Sequence, residues 1–180
     1  MMRRITIAKW VVVAVATAAL VWLVVRPRPR GPVKMGESAP GFTLSQLPSG
    51  KLSLSEFKGH VVVLNFWATW CPPCVMETPS LEKFASEMKP QGVAVLGVSV
   101  DENENQLKQF VQQYHLSYPV ARDPSAALAN SYGTYKLPES YIIGRDGRVA
   151  DKIIGATNWT DPRMIAFVKS LAGANTQASR

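Results

Sequence analysis

The chain's only two cysteines, Cys71 and Cys74, are separated by two residues and come shortly after the run VVVLNFW at Val61–Trp67. That juncture limits the fold more than any other feature. A continuous β-branched and aromatic run is the pattern of a strand buried on both faces. Beyond CPPC, Leu81, Phe84, Ala85 and Met88 recur at the i, i+3, i+4, i+7 spacing of a helix face. A dithiol therefore stands where a buried strand gives way to a helix. It is either reaction chemistry or half of a metal site.

A structural zinc site takes four ligands, usually from two paired clusters. Besides the cysteines there are only His60, at the start of a strand, and His115, at the end of a helix. No second cluster exists, and no metal is expected. A redox pair needs two thiols that close a small ring and reopen it. At a helix N-terminus, free N–H groups and the dipole favour thiolate on the first cysteine. The second, one turn along, is in reach to attack a mixed disulfide. Cys71 is the expected nucleophile and Cys74 the resolver. A purely structural disulfide across so short a loop would constrain little of the unfolded chain.

The surrounding pattern is α/β. FTLSQLPSGKLSLSEF alternates apolar and polar residues on both sides of PSG, a hairpin signature. Val93–Val100 reads as a second buried strand, and Leu107, Phe110, Val111 and Tyr114 mark a second helix face. PSAALANSYG is a short helix stopped by Gly133, and SYIIGRDGRVADKII a hairpin turned at RDG. A final helix opens at Asp161 as N-cap with Pro162 in its first turn. These elements predict helices layered on a central mixed sheet. The expected layout is a basic segment at 1–9, a transmembrane anchor at 10–25, a Pro/Arg-rich linker at 26–40, the domain at 41–172 and a flexible tail at 173–180.

The formal charge of +7 sits entirely in residues 1–35, which hold seven basic residues and no acid. The remainder has 13 of each sign, so the domain has no electrostatic footprint for a phosphate backbone and nucleic acid is excluded as a partner. Trp10–Val25 is uncharged and, counted back past Lys9 to Ile5, approaches the roughly 20 residues of a membrane span. It ends in bulky and then basic residues, so it reads as an uncleaved anchor; the competing reading is a signal peptide cleaved near Ala18 or Ala19. Basic residues flank the run on both sides, and the positive-inside rule gives no orientation. The thiol chemistry places the domain outside the cytoplasm, on the periplasmic side of the inner membrane. The linker, with Pro27, Pro29 and Pro32, is expected to be semi-extended.

FWATWCPPC resembles the active site of the thioredoxin superfamily. From about Gly36 to Ala172 the chain is similar to membrane-anchored thiol–disulfide oxidoreductases of the ResA/TlpA type, which resemble the reductants of cytochrome c maturation. The resemblance implies a thioredoxin-like fold with an N-terminal β-hairpin extension. It also implies that Pro138 is a cis-proline facing the active-site disulfide, and that Trp70, Leu137 and Pro138 meet the substrate chain. Pro79 matches the proline that kinks the active-site helix. Glu77 matches a glutamate that carries protons for the thiols; read without the family, it is an acid in a first helical turn favoured by the dipole. Classical thioredoxins hold a buried aspartate six residues before the first cysteine, where this chain has Asn65, which cannot take a proton. Glu77 is the substitute the resemblance offers.

Pro72 and Pro73 leave few N–H groups to stabilise a Cys71 thiolate, and no histidine lies between the cysteines. A strong oxidant stabilises its reduced form. The lack of such stabilisation favours a reductant over a disulfide donor. A peroxidase is the first rival, because GESAPGFTLSQLPSGKLSLSEFKG also resembles the opening of the peroxiredoxin fold. The threonine or serine at minus three and proline at minus seven of such enzymes are missing before either cysteine. A copper chaperone would need a histidine partner, for which only His115 is available. The expected partners are therefore client proteins with disulfides, such as apocytochrome c or a copper-site protein, and a membrane thiol donor. No dissolved cofactor is implied.

Overall fold

The structure, a computed structural model, describes residues 31–173 and two helical stretches ahead of them, 15–18 and 20–22. The segment 1–9, most of the span expected at 10–25, residues 26–30 and the tail from 174 lie outside the described residues. Among the described residues no helix is long and apolar enough to cross a membrane.

The PSG hairpin forms as expected, with β1 (Thr43–Gln46) antiparallel to β2 (Lys51–Ser53). The run at Val61–Trp67 is β3, buried along its whole length. It leads into α1 (Pro72–Met88), and β4 (Val93–Ser99) returns parallel to it. Helix α2 (Glu104–Gln113) connects to β5 (Val120–Arg122), parallel to β4. The short α3 (Ala127–Tyr132), stopped at Gly133, precedes the antiparallel hairpin of β6 (Glu139–Ile143) and β7 (Val149–Ile154). Helix α4 (Pro162–Gly173) closes the fold; Asp161 accepts the Arg163 backbone N–H through its side chain, as an N-cap does. The sheet is mixed and seven-stranded, in the order β2-β1-β5-β4-β3-β6-β7.

Alternation along β3 divides the core. Val61, Val63 and Trp67 belong to a cluster with Leu81 and Phe84 of α1 and with Trp159 and Val168. Val62, Leu64 and Phe66 belong to a second cluster with Leu128 and Tyr132 of α3 and with Tyr141 of β6. A strand with one apolar layer on each face must read as an unbroken apolar run. Gly97 in β4 is required by this packing: a Cβ there would stand 3.0 Å from both Trp67 Nε1 and a Tyr118 ring carbon.

Four features depart from the expectation. Leu54–Phe57 leaves the hairpin pattern for a 3₁₀ turn. Strand β5 has no counterpart in the sequence reading, since three residues carry no period. Helix α4 extends one residue into the expected tail. Residues 31–40, expected as linker, pack onto the domain, and the compact unit begins at Gly31. Val33 is buried and donates its N–H to the Tyr132 carbonyl. Gly36, Glu37 and Ala39 exchange backbone hydrogen bonds with Val149 and Gly147. Pro32 lies against Gly133, where a Cβ would fall 2.3 Å from the Pro32 Cβ and where φ is +76°. Main-chain hydrogen bonds hold this segment, so side-chain pattern could not announce it.

Candidate active site

The cysteine pair stands at the carboxyl end of β3, in a parallel sheet the usual location of a site. Cys71 N–H donates to Ala68 O at 3.3 Å, so Ala68–Cys71 is a tight turn that carries the chain into α1. Cys71 is the N-cap: its Sγ accepts the Cys74 N–H at 3.4 Å. Pro72 and Pro73 occupy the first helical positions, where an N–H has no intrahelical acceptor and proline is tolerated. Cys71 and Cys74 are joined by a disulfide, with Cα atoms 5.3 Å apart. Both cysteines are largely covered, whereas Trp70 beside them is 65 % exposed. Met76 on the next turn is also exposed. Pro79 sits inside α1, where it cannot donate to Val75 O.

The Leu137–Pro138 bond is cis. Pro138 is buried, and Leu137 packs against the cluster that contains both cysteines. A second cis bond, Leu47–Pro48, lies in the β1–β2 turn, and nothing in the sequence reading anticipated it.

Glu77 is the one buried acid of α1. It lies one turn after Cys74 and is only 4 % exposed. Its Oε1 accepts Asn65 Nδ2–H at 2.8 Å and its Oε2 accepts the Thr157 N–H at 3.2 Å. Asn65 donates as well to Ser140 Oγ at 2.9 Å, opposite it on β6. Asn65 is thus a buried, hydrogen-bonded amide that orients Glu77. Burial pushes the Glu77 carboxyl above the usual carboxylate range, and the Thr157, Asn65 and Trp159 N–H groups oppose it without winning. The Trp159 indole N–H acts through proximity, since it is buried and meets no acceptor at hydrogen-bonding geometry. No cation faces Glu77 among the described ion pairs. A shallow depression of about 330 Å³, lined by Met76, Ser80, Ala156, Thr157 and Asn158, reaches Glu77 from solvent.

On the opposite face of the sheet a second buried carboxylate follows the cis-proline. Glu139 is fully buried, accepts Tyr141 Oη–H at 2.6 Å and pairs with Lys152 Nζ at 2.5 Å. Its other oxygen takes the Tyr135 N–H at 3.4 Å. Sequence reasoning missed this cluster. Its signal was the RDG hairpin, whose register sets Tyr141 opposite Lys152 and leaves Glu139 two residues away on the same face. His60 and His115 are both exposed, and the described residues include no group of His, Cys, Asp and Glu that could hold a metal.

The comparisons with known proteins agree with this geometry. Residues 35–152 match the model of the AhpC/TSA family. A thiol-disulfide oxidoreductase ResA of Bacillus cereus is 40 % identical over 123 residues, covering 68 % of this chain and 71 % of that one. ResA of Geobacillus thermodenitrificans is 34 % identical over 129 residues, covering 72 % of this chain and 74 % of its own. Among solved structures, a putative thiol:disulfide interchange protein DsbE from Chlorobium tepidum superposes with a TM-score of 0.73 at 28 % identity, over 78 % of this chain and 99 % of that one.

Proposed function

This chain belongs to the AhpC/TSA family as a thioredoxin-like thiol–disulfide oxidoreductase, and we propose that it works outside the cytoplasm as a reductant of client-protein disulfides. The observation that carries the reading is the Cys71–Cys74 pair at the N-terminus of α1 with Glu77 buried one turn on. The Cys71 thiolate attacks a client sulfur, forming a mixed disulfide and releasing one client thiolate, which takes a proton from solvent. Glu77 accepts the Cys74 proton, and Cys74 then attacks Cys71 Sγ. The ring closes and the second client thiol leaves. Two electrons pass from the dithiol to the client, and a membrane thiol donor returns them. The depression at Thr157 lets Glu77 exchange its proton with water.

Trp70, Leu137 and Pro138 bind the client segment around its disulfide. Residues 10–25 anchor the chain in the inner membrane, 1–9 precede the anchor, 26–30 form the stand-off, and the domain faces the periplasm. Support for the anchor is the uncharged run Trp10–Val25 between basic flanks. Support for the reducing direction is the proline pair, which offers the Cys71 thiolate few donors. Apocytochrome c and proteins that build copper sites are the client classes this chemistry serves.

Trapping tests the reading. Reduced C74S, mixed with a disulfide-bonded model client, accumulates a Cys71–client adduct visible by mass, whereas C71S gives none. Equal trapping by both variants contradicts the assigned roles. A reporter enzyme that needs oxidising surroundings, fused after Arg180, is active in cells if the domain lies outside the cytoplasm and silent otherwise.

A further inference from the structure

A buried carboxylate that the exchange reaction does not use lies just beyond β4, beside the turn that delivers Cys71. Asp101 is 1 % exposed. Its Oδ2 accepts the Thr69 backbone N–H at 2.9 Å and the Ser99 hydroxyl at 2.6 Å, and its Oδ1 accepts the Thr69 hydroxyl at 2.6 Å. The Ser99 oxygen in turn accepts the Asp101 N–H at 3.0 Å. No ion pair involves Asp101 among the described residues. Three uncharged donors hold it, and two of them belong to one residue.

That residue is the first interior position of the Ala68–Cys71 turn. The turn begins where β3 ends, and Val100 N–H to Trp67 O at 3.0 Å joins the two strands at that point. Beyond it Asp101 reaches across from the β4 side, gripping Thr69 at both its amide and its hydroxyl. The following two residues are the exposed Trp70 and the N-cap Cys71. Small rotations of Thr69 would swing the Cys71 sulfur away from the Cys74 N–H that it accepts.

We propose that Asp101 is a positioning residue: through its clamp on Thr69 it holds Cys71 Sγ in register with the N-terminus of α1. This rests on Cys71 being the attacking thiol. Asparagine at 101 is the informative replacement. One amide oxygen would keep both Oδ2 contacts and the amide N–H₂ would donate to a rotated Thr69 hydroxyl. Alanine has the same lack of charge and none of the contacts. The difference between D101N and D101A therefore isolates position from charge.

The test is the pH midpoint of Cys71 alkylation by iodoacetamide in the reduced full chain, read by mass for the adduct on Cys71. It needs no client, so it stands or falls apart from the reductant reading. D101A should move the midpoint upward and slow alkylation at neutral pH about fivefold, because a thiolate out of line with the helix N-terminus loses its stabilisation. D101N and T69S should stay within about twofold of the parent, and T69V should shift in the same direction as D101A by less. A folded D101A with the parent midpoint and rate overturns the proposal. So does D101N behaving like D101A, which would assign the effect to charge. Should D101A not fold, T69V against T69S decides by the same criterion.

Discussion

Two carboxylates lie buried at the same end of the sheet, on opposite faces, and they are treated differently. Glu139 is matched with Lys152 and with the Tyr141 hydroxyl. Burial alone would pull the Lys152 ammonium down, but its contacts with Glu139 and Tyr141 hold it above its usual range. Glu77 has only neutral N–H partners, and burial wins there. A carboxylate locked to a cation is a fixed strut, suited to holding the loop that carries Pro138. One held by dipoles near a solvent-facing depression can change protonation state, which the proposed proton transfer from Cys74 requires. The contrast is between structure and chemistry made from the same side chain.

The largest way to break the contrast is to unpair the strut. E139A leaves Lys152 and Tyr141 facing a void, and K152A leaves a fully buried carboxylate uncompensated. Each should cost about 3 kcal/mol in denaturant unfolding. The two losses should not add in the double variant, because the second change removes a charge the first had already stranded. Additive losses would show that the pair is not coupled.

E77Q should act in the opposite sense on stability. With its folded pKa raised above the unfolded value, Glu77 contributes fully below its ordinary value of 4.5, and that contribution is lost as pH rises through the raised value. The amide can keep both contacts if Asn65 turns its own amide over. E77Q should therefore be more stable than the parent at neutral pH, with the gap closing as pH falls through the ordinary carboxylate range. Its rate of client reduction should fall about tenfold or more, and the limb of the pH profile that rises as Glu77 ionises should vanish. Thermal melts at two pH values and stopped-flow rates check both.

The sharpest and smallest test changes Glu77 without touching it. N65A removes the donor to Oε1, so the Glu77 limb should move to higher pH. A shift the other way would mean that Asn65 is not a donor to the charged form.

Much of this arrangement was legible in the chain, and what was not has a physical reason. Strand β3 was readable from its unbroken apolar run, helix α1 from its i, i+3, i+4, i+7 spacing, and the last hairpin from its RDG turn. The pair Asn65 and Glu77 was readable as a departure from the thioredoxin pattern. Ser140 and Thr157 were not. Ser140 meets Asn65 across 75 residues of chain and Thr157 meets Glu77 across 80, and only the formed sheet brings them together. Asp101 and the Glu139–Lys152 pair look like ordinary charged residues near turns, and folding alone reveals that both acids are buried. Strand β5 exists because β4 and β1 offer edges on either side of Val120–Arg122, a property of neighbours and not of those three residues.

Whether the Cys71–Cys74 couple gives electrons to clients is tested most directly by its equilibrium reduction potential, titrated against a defined dithiol buffer. The prediction is a value at or below that of thioredoxin, about −270 mV. A value near that of a strong oxidant, about −120 mV, would contradict the claim and make the protein a disulfide donor.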